Sequence, residues 1–297
     1  MNYIMSEMPF GNSPKKLFQM ELNYAITDFC YTKIGFLFLL RNEHCIGKVD
    51  FKGNVELPFL GLIGERGQEF EYDSRLSFPS SICYNKQQDT AFVVENGGDV
   101  IRKIEFNPLY TITLITNKDS IDLYFKNADA ALTHTCCDID SNNVIYWGVK
   151  NLHRIFKMDG IDICLFAGNG KPTFSMATDP RQSSFSRPSG IKVFNNNVYI
   201  TEQGNHCIRQ INSGKVNLTA GMPHACGDND GKGIECNFSH LRKLVGFKNL
   251  LYFIDNNKIK YFSLIQKNIG TIYAPKNNIV SIDSDKENTI YILERQK

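Results

Sequence analysis

The chain alternates between short apolar runs and polar breaks, most clearly between residues 185 and 221. Four apolar runs follow one another there: Ile191–Phe194, Val198–Thr201, Cys207–Ile211 and Val216–Ala220. Asparagine-containing triplets separate them. Short apolar runs broken by turn residues are typical of strands joined by tight turns, so this segment is predicted to form one four-stranded antiparallel sheet. One such sheet cannot bury both of its faces, which indicates that similar sheets pack beside it.

The second run of this segment has counterparts throughout the chain. With Glu202 at the end of that run as the reference, the equivalent residues stand at positions 40, 95, 149, 202, 255 and 294, spaced by 55, 54, 53, 53 and 39 residues. A second column supports this register, because an isoleucine follows six residues after each of the first four positions (Ile46, Ile101, Ile155 and Ile208). Six copies at near-even spacing predict a repeat architecture.

The pattern predicts an all-β fold, a closed ring of six four-stranded antiparallel sheets forming a single domain over residues 1–297. The copies are expected at about 24–62, 78–115, 132–167, 185–220, 238–272 and from 277 onward. The sixth copy stops after two strands, at residues 294–297. Residues 1–22 are therefore predicted to close the ring, with segments around 3–6 and 16–22 pairing with the sheet that contains Val280–Glu294, because this removes exposed sheet edges.

Long connections precede copies two to five, at residues 64–77, 116–131, 168–184 and 221–237. In a ring of four-stranded sheets, these links lie on the same face as the turns between second and third strands. Loops held on a rigid scaffold commonly carry function, so this long-loop face is the expected binding surface.

Composition and cysteine usage narrow the class of protein. The chain has 33 lysines and arginines against 31 acids, a net charge of +2, which is no electrostatic footprint of whole-molecule nucleic-acid binding. Its nine cysteines lie mostly in or beside strand runs and are expected to be reduced thiols of an intracellular protein. No signal peptide is visible, and the longest apolar run, Ile34–Leu40, is too short to span a membrane. A cytoplasmic location without a membrane partner is therefore expected.

Three stretches of the fourth copy resemble the NHL repeat: Pro188–Ile191, Val198–Glu202 and Asn205–Arg209. The acid that ends the second stretch, the Asn-His pair and the Ile-Arg step carry the resemblance. The family implies a six-bladed β-propeller, which agrees with the six reference positions. The resemblance covers nearly the whole chain, is sharpest in copy four and is poor in copies one and six. Copies one and three have Leu40 and Val149 in place of the acid, so their contacts between blades are expected to differ.

Repetition of the charged positions favours structural roles for them. The acids are expected to accept hydrogen bonds from turn amides or to pair with Arg102 and Arg209; they are Glu95, Glu202, Asp255 and Glu294. His206 shares a repeat column with His44 and His153, and we expect these residues to cap turns, because a ring periphery holds them too far apart for one metal ion. His134 and His240 lie nearer the channel, where a shared site stays open as an alternative.

Some relatives of this repeat class are enzymes. Its peptidyl-hydroxyglycine lyases look like metal-dependent propellers with histidine ligands in the channel, and related six-bladed hydrolases and lactonases hold calcium at channel-facing strand starts. Here those starts are largely apolar or small, with Asp28 and Asp138 as their only acids, each able to face either way. The Gly227–Gly231 segment lacks the later ligands of a calcium loop and is interpreted as a turn. We therefore predict no catalytic residue, no metal and no cofactor.

Basic residues in the long loops are the strongest functional signal. Those expected on or near the long-loop face are Arg66, Arg75, Lys171, Arg181, Arg187, Arg242 and Lys243. Some NHL propellers bind RNA through such a face, by phosphate contacts and base stacking. The same loops also contain acids: Glu65, Glu69, Glu71, Asp73, Asp119, Asp122, Asp179, Asp228, Asp230 and Glu235.

A mixed-charge face favours a protein partner over RNA. The prediction is a non-catalytic protein-interaction scaffold. An RNA-binding propeller and a metal-dependent lyase or hydrolase of propeller type are the alternatives, and the oligomeric state stays open.

Overall fold

A computed structural model describes residues 1–67, 75–95, 100–106, 111–114 and 135–297. Its strands form six antiparallel sheets, or blades. The first strand of each blade contacts the first strands of both neighbouring blades, so these six strands surround a central channel. The all-β, six-bladed ring predicted from the repeat is confirmed.

The first three blades are built from consecutive strands. Blade one contains β3 (Asp28–Thr32), β4 (Gly35–Leu40), β5 (Cys45–Val49) and β6 (Val55–Gly61). Blade two contains β7 (Ser81–Asn85), β8 (Thr90–Glu95), β9 (Val100–Glu105) and β10 (Thr111–Leu114). Blade three contains β11 (Thr135–Ile139), β12 (Ile145–Val149), β13 (Arg154–Asp159) and β14 (Asp162–Ala167).

The other three blades complete the ring. Blade four contains β15 (Pro188–Phe194), β16 (Asn197–Glu202), β17 (Cys207–Asn212) and β18 (Lys215–Ala220). Blade five contains β20 (Leu241–Phe247), β21 (Leu250–Asp255), β22 (Lys258–Ser263) and β23 (Asn268–Tyr273), with the short β19 (Gly231–Lys232) paired to β23. Blade six contains β24 (Asn278–Ser284), β25 (Thr289–Arg295), β1 (Asn2–Pro9) and β2 (Lys15–Glu21). Single 3₁₀ turns occur at Arg41–Glu43, Pro180–Gln182 and Gly233–Glu235.

The N-terminal strands close the ring as predicted. In blade six the strand order is β2-β1-β25-β24, so two strands come from each end of the chain. Met5 of β1 lies opposite Leu293 of β25 on one side and opposite Phe18 of β2 on the other. This pairing covers the edge that β25 would otherwise expose, and an exposed strand edge is a template for aggregation.

Turn residues between the strands have the backbone conformations that tight hairpins require. Asn195 and Asn196, between β15 and β16, have φ of 50° and 57°. Ser213 and Gly214, between β17 and β18, have φ of 46° and 74°. Two successive residues with positive φ give a turn whose twist matches that of the flanking strands, which explains the asparagine and glycine between the apolar runs.

The core lies between the blades. Trp147 of blade three is fully buried and packs in one cluster with Phe156 of its own blade and with Phe92 and Val94 of blade two. Equivalent layers join other neighbouring blades, as with Tyr252 and Ile290 of blades five and six. Each blade therefore buries its two faces against its neighbours. No helix among the described residues has the length and apolar character needed to cross a membrane.

Candidate functional site

The chain places its loops on two faces of the ring. The upper face, as we call it, carries the turns between second and third strands and the links between successive blades. Parts of the predicted long-loop face lie outside the described residues, namely residues 68–74 and 115–134. These gaps contain His134 and the acids Glu69, Glu71, Asp73, Asp119 and Asp122.

Blades two and four contain fully buried ion pairs formed by the repeated acids, which we call the anchor pairs. Arg209 Nη1 donates to Glu202 Oε1 at 3.1 Å, and Arg102 Nε donates to Glu95 Oε1 at 2.9 Å. All four side chains have 0% exposure. The Ser186 amide donates to Glu202 Oε2 at 2.6 Å. Burial raises the pKa of Glu202 to about 7, although Arg209 and this amide favour the charged form.

Blades five and six satisfy the repeated acid differently. In blade five the amide of His240 donates to Asp255 Oδ1 at 2.8 Å, while Lys260 Nζ lies 3.5 Å from Asp255 Oδ2. Lys260 Nζ also lies 2.7 Å from Asp228 Oδ1, within the glycine- and aspartate-rich turn. In blade six no described cation pairs with Glu294, which instead accepts hydrogen bonds from the Tyr273 hydroxyl and the Asn277 amide.

The three histidines of the shared column connect neighbouring blades. His44, His153 and His206 have φ between 54° and 56°, in the left-handed region used by turns. Each Nδ1 makes a 3.1 Å hydrogen bond to the backbone just before the next blade. The backbone partners, in the same order, are Phe78 N, Arg187 N and Ser239 O. The three imidazoles therefore link neighbouring blades by hydrogen bonds.

The channel contains two ion pairs between blades, which we call the channel pairs. Lys243 Nζ of blade five lies 2.9 Å from both carboxylate oxygens of Asp28 in blade one. Lys192 Nζ of blade four lies 2.9 Å from Asp138 Oδ2 in blade three. Ser281 Oγ also donates to Asp28, at 2.8 Å. Both acids face the channel, an orientation that the sequence analysis left open. The sequence analysis did not identify Lys192 and Lys243 as their partners.

The channel pairs perturb the titration of their members. Burial would raise the pKa of Asp138, but the charges of Lys192 and Lys286 and the hydrogen bonds from Lys192 and the Val193 amide together outweigh it, so the pKa of Asp138 lies below its usual range. Asp283 has no cation within ion-pair distance among the described residues, and burial raises its pKa. Its Oδ2 accepts a hydrogen bond from the Tyr31 amide at 2.7 Å. Burial, followed by repulsion from Lys192, lowers the pKa of Lys286.

Charged side chains leave little open space at the channel centre. The cavity between Asp138, Lys192, Lys243 and Asp283 has a volume of about 20 Å³, which is room for a single water molecule. Among the described residues, no group of three or more His, Cys, Asp or Glu is arranged to hold a metal ion. His240 contacts Gln203, with 2.9 Å between Nδ1 and the amide nitrogen.

The predicted partner-binding residues do not form one patch. Arg66 Nε donates to Ser77 Oγ at 2.6 Å between blades one and two, and Arg75 is half-buried in the same link. Lys171 and Arg181 are exposed in the link before blade four, where Arg181 pairs with Asp179 at 2.9 Å. Lys243 lies in the channel, not on the long-loop face, because Asp28 binds its ammonium.

Arg187 and Arg242 do come together, and the sequence analysis missed a third member of their group, Lys150. Arg187 directly precedes β15, Arg242 lies at the start of β20 and Lys150 directly follows β12. All three stand at the upper end of the channel, on blades three, four and five, and we call them the mouth cluster. Burial and the charge of Arg187 lower the pKa of Lys150. The place of Lys150 directly after the second strand of copy three is the signal in the sequence that could have identified it as an upper-face residue.

A groove on the opposite face lies between blades five and six. It encloses about 710 Å³ and is lined mainly by apolar and aromatic side chains, among them Phe10, Phe247, Leu250, Tyr261 and Ile272. Lys248 is the one charged residue among the described residues that line it. The groove therefore lacks the charge that distinguishes the mouth cluster.

Comparison with known proteins gives one family match. Residues 185–211 match the family model of the NHL repeat. No curated protein matches the chain.

Solved structures share the fold at low sequence identity. A structural genomics protein of unknown function from Bacteroides thetaiotaomicron has a TM-score of 0.59 and 13% identity, over 95% of this chain and 62% of that one. A chain of a nidogen/laminin complex has a TM-score of 0.58 and 14% identity, over 92% and 94% of the two chains. A catalytically inactive virginiamycin B lyase from Staphylococcus aureus, solved with quinupristin, has a TM-score of 0.56 and 16% identity, over 98% and 88%. The chain thus spans 62% of the first of these structures.

Proposed function

We propose that this protein, an NHL-repeat six-bladed β-propeller, is a non-catalytic scaffold that binds a protein partner through its upper face. One observation supports this above the others. The channel lysines Lys192 and Lys243 are matched by acids within the chain, whereas Lys150 and Arg187 at the upper mouth have no carboxylate within ion-pair distance among the described residues. Unmatched charge on a rigid surface is available to a partner.

The rigidity of this surface also supports binding. The backbone at Arg187 is held by its amide, which donates to His153 Nδ1 at 3.1 Å, and by its carbonyl, which accepts from the Gln203 amide at 3.1 Å. Arg242 Nη2 donates to the carbonyls of Asn256 and Ile279 at 2.9 and 3.1 Å. A preorganised surface loses less conformational entropy on association.

RNA binding is the first alternative, and charge pairing on the upper face weighs against it. Asp179 neutralises Arg181, and Asp228 lies against Lys258 and Lys260. A long polyanion would therefore meet few unmatched cations outside the mouth cluster. RNA binding would show a steep decrease in affinity with salt.

A metal-dependent lyase is the second alternative, favoured by the structural similarity to virginiamycin B lyase. It requires ligands that converge in the channel. Two acids there, Asp28 and Asp138, are bound by lysines, and a third, Asp283, accepts a hydrogen bond from the Tyr31 amide. Elemental analysis of the purified protein tests this alternative directly. A stoichiometric transition metal or calcium ion would favour the lyase over the scaffold.

The scaffold is tested by affinity purification from the native host at near-physiological salt, with nuclease treatment and mass spectrometry. We expect a stoichiometric protein partner that survives nuclease and is lost in Arg187→Glu. Lys171→Glu is the matched control, because it reverses an exposed upper-face charge outside the mouth cluster. Recovery of RNA, or loss of every partner on nuclease treatment, would replace the scaffold with RNA binding. If Arg187→Glu captures the partner as well as the unsubstituted protein does, the mouth cluster is excluded as the binding surface.

A further inference from the structure

Lys150, Arg187 and Arg242 lie on three neighbouring blades around the upper end of the channel, and the charges of both arginines act on Lys150. The start of blade four, next to Arg187, lies between Lys150 of blade three and Arg242 of blade five. Pro188 packs against Gly148 at the end of β12, since a Cβ added to Gly148 would lie 3.1 Å from the Pro188 side chain. On the other side, Ser189 Oγ donates to the Leu241 carbonyl, next to Arg242, at 2.7 Å. Three neighbouring blades thus bring one cation each to the same mouth.

The donors of this group are largely unused. Neither Lys150 nor the Arg187 side chain makes a hydrogen bond or ion pair within the described chain, and Arg187 is exposed. Arg242 uses its Nη2 for two carbonyls, but its buried Nε has no acceptor among the described residues. Asp255, which lies opposite Leu241 in the pairing of β20 and β21, is used by other groups, because its Oδ1 accepts the amides of Ser239 and His240 and Lys260 Nζ lies 3.5 Å from its Oδ2. Several N–H groups of the mouth cluster therefore have no acceptor among the described residues.

The surroundings limit the size of the anion. Several cations elsewhere on the described upper face are paired within the chain, as Arg181 is with Asp179 and Lys260 is with Asp228 and Asp230. Lys171 and Lys232 are exposed single charges in the links before blades four and five. The mouth therefore holds a confined group of unmatched cations contributed by three blades. A carboxylate, which two arginines and a lysine can bind through charge-assisted hydrogen bonds, matches this confined charge. A phosphate chain would extend beyond the mouth cluster onto a surface that carries acids such as Asp179 and Asp228.

We infer that the mouth cluster is a carboxylate-binding site that receives an acidic residue or the C-terminal carboxylate of a protein partner. This inference rests on the proposed function and specifies the chemistry by which the partner is recognised. Lys150 and Arg187 provide the freely available donors, and Arg242 provides a fixed cation between blades five and six.

His240 provides a reporter within the site. Burial lowers the pKa of His240, and Arg242, Lys150 and Arg187 lower it further, whereas Asp255 acts in the opposite direction. Gln203 contacts the ring through its side-chain amide. A carboxylate bound among the three cations would offset their charge, so the pKa of His240 must rise on binding.

The test uses a fluorescein-labelled hexaglutamate peptide as the probe, measured by fluorescence anisotropy at low salt with the full chain. We expect binding that Lys150→Gln/Arg187→Gln weakens at least tenfold. The matched control, Lys171→Gln/Lys232→Gln, removes the same net charge from exposed positions in the links before blades four and five and should change affinity less than twofold. Peptides with a free and an amidated C-terminus distinguish a terminal carboxylate from side-chain carboxylates, and a hexaglutamine peptide should not bind.

Several outcomes would overturn the inference. These are no binding of hexaglutamate, equal weakening in the control variant, or tighter binding of single-stranded RNA at the same two residues. An unchanged pKa of His240 on peptide addition, followed by NMR titration, would place the peptide elsewhere. If the native-host purification recovers a partner while hexaglutamate fails to bind, the scaffold stands and only the carboxylate site is wrong. A thermal melt of each variant verifies that the loss does not reflect unfolding.

Discussion

The anchor pairs and the channel pairs use the same chemistry in different settings. Glu202 and Arg209 are seven residues apart, belong to one blade and have 0% exposure. Asp28 and Lys243 are 215 residues apart, join blades one and five and keep 8% and 15% exposure. The first kind of pair recurs with the repeat, whereas the second occurs where two particular blades meet across the channel. A repeat therefore encodes contacts within a blade, and the closed ring creates contacts that no single copy contains.

The anchor pair should be the more costly of the two to break. Glu202→Ala leaves the guanidinium of Arg209 buried without a counter-charge, and removing one member of a buried pair costs about 3–5 kcal/mol. We expect a loss of this size in urea denaturation at pH 8, where the carboxylate is ionised given its pKa of about 7.

Glu294→Ala is the matched control for this experiment, because Glu294 bonds only neutral groups, the Tyr273 hydroxyl and the Asn277 amide, within the described chain. It should cost about 1–2 kcal/mol, the range for lost hydrogen bonds. Equal losses in the two variants would contradict the distinction between a paired and an unpaired anchor.

The channel pair should cost less, because both members retain some contact with water. Asp28→Asn leaves the Lys243 ammonium with a neutral partner, and we expect a loss of about 1–3 kcal/mol. Replacing both residues, Asp28→Asn with Lys243→Met, removes the unpaired charge and should recover part of this loss. A double-mutant cycle by chemical denaturation measures the coupling, and a coupling near zero would show that the pair adds nothing to stability.

Two channel acids should respond to pH in opposite directions. Asp138 has a lowered native pKa, so the unfolded chain binds more protons just below pH 4, and the stability from Asp138 is lost as the pH falls through that range. Asp283 has a raised native pKa, so its contribution is lost as the pH rises above about 4.

At pH 7 Asp138→Asn should therefore destabilise the protein by about 1–2 kcal/mol. Asp283→Asn should be neutral or stabilising by up to about 1 kcal/mol, since the amide oxygen still accepts from Tyr31. Denaturation midpoints measured between pH 3 and pH 8 test both signs. Parallel pH curves for the two variants would contradict the assignment.

A neutral link between blades should contribute no more to stability than the charged pairs do. His206→Ala removes the 3.1 Å hydrogen bond to the Ser239 carbonyl and places alanine at a φ of 56°. A loss of about 1–2 kcal/mol should follow. His206→Asn tolerates this backbone conformation better and should lose less. Thermal melts of both variants test this expectation. A larger loss of stability in His206→Asn than in His206→Ala would show that the backbone conformation is not the determining factor.

The sequence predicted the contacts that repeat and missed those that do not. The strand-ending acids and Arg209 were recognisable because the acid recurs in four copies and copies two and four supply both partners at the same spacing of seven residues. Lys192 and Lys243 were not recognised as channel residues, although a charged residue in an otherwise apolar inner strand must find a partner when buried. Lys150 was missed for a related reason, since its neighbours Arg187 and Arg242 come from other blades.

The amino-acid sequence by itself determined the number of blades, their boundaries and the closure by the N-terminal strands. These follow from local alternation and from a truncated last copy, and both are visible along the chain. Only the tertiary structure decided which side chains face each other across the channel and at its mouth. The angle between blades sets those distances, and it depends on packing such as that around Trp147, which no single copy contains.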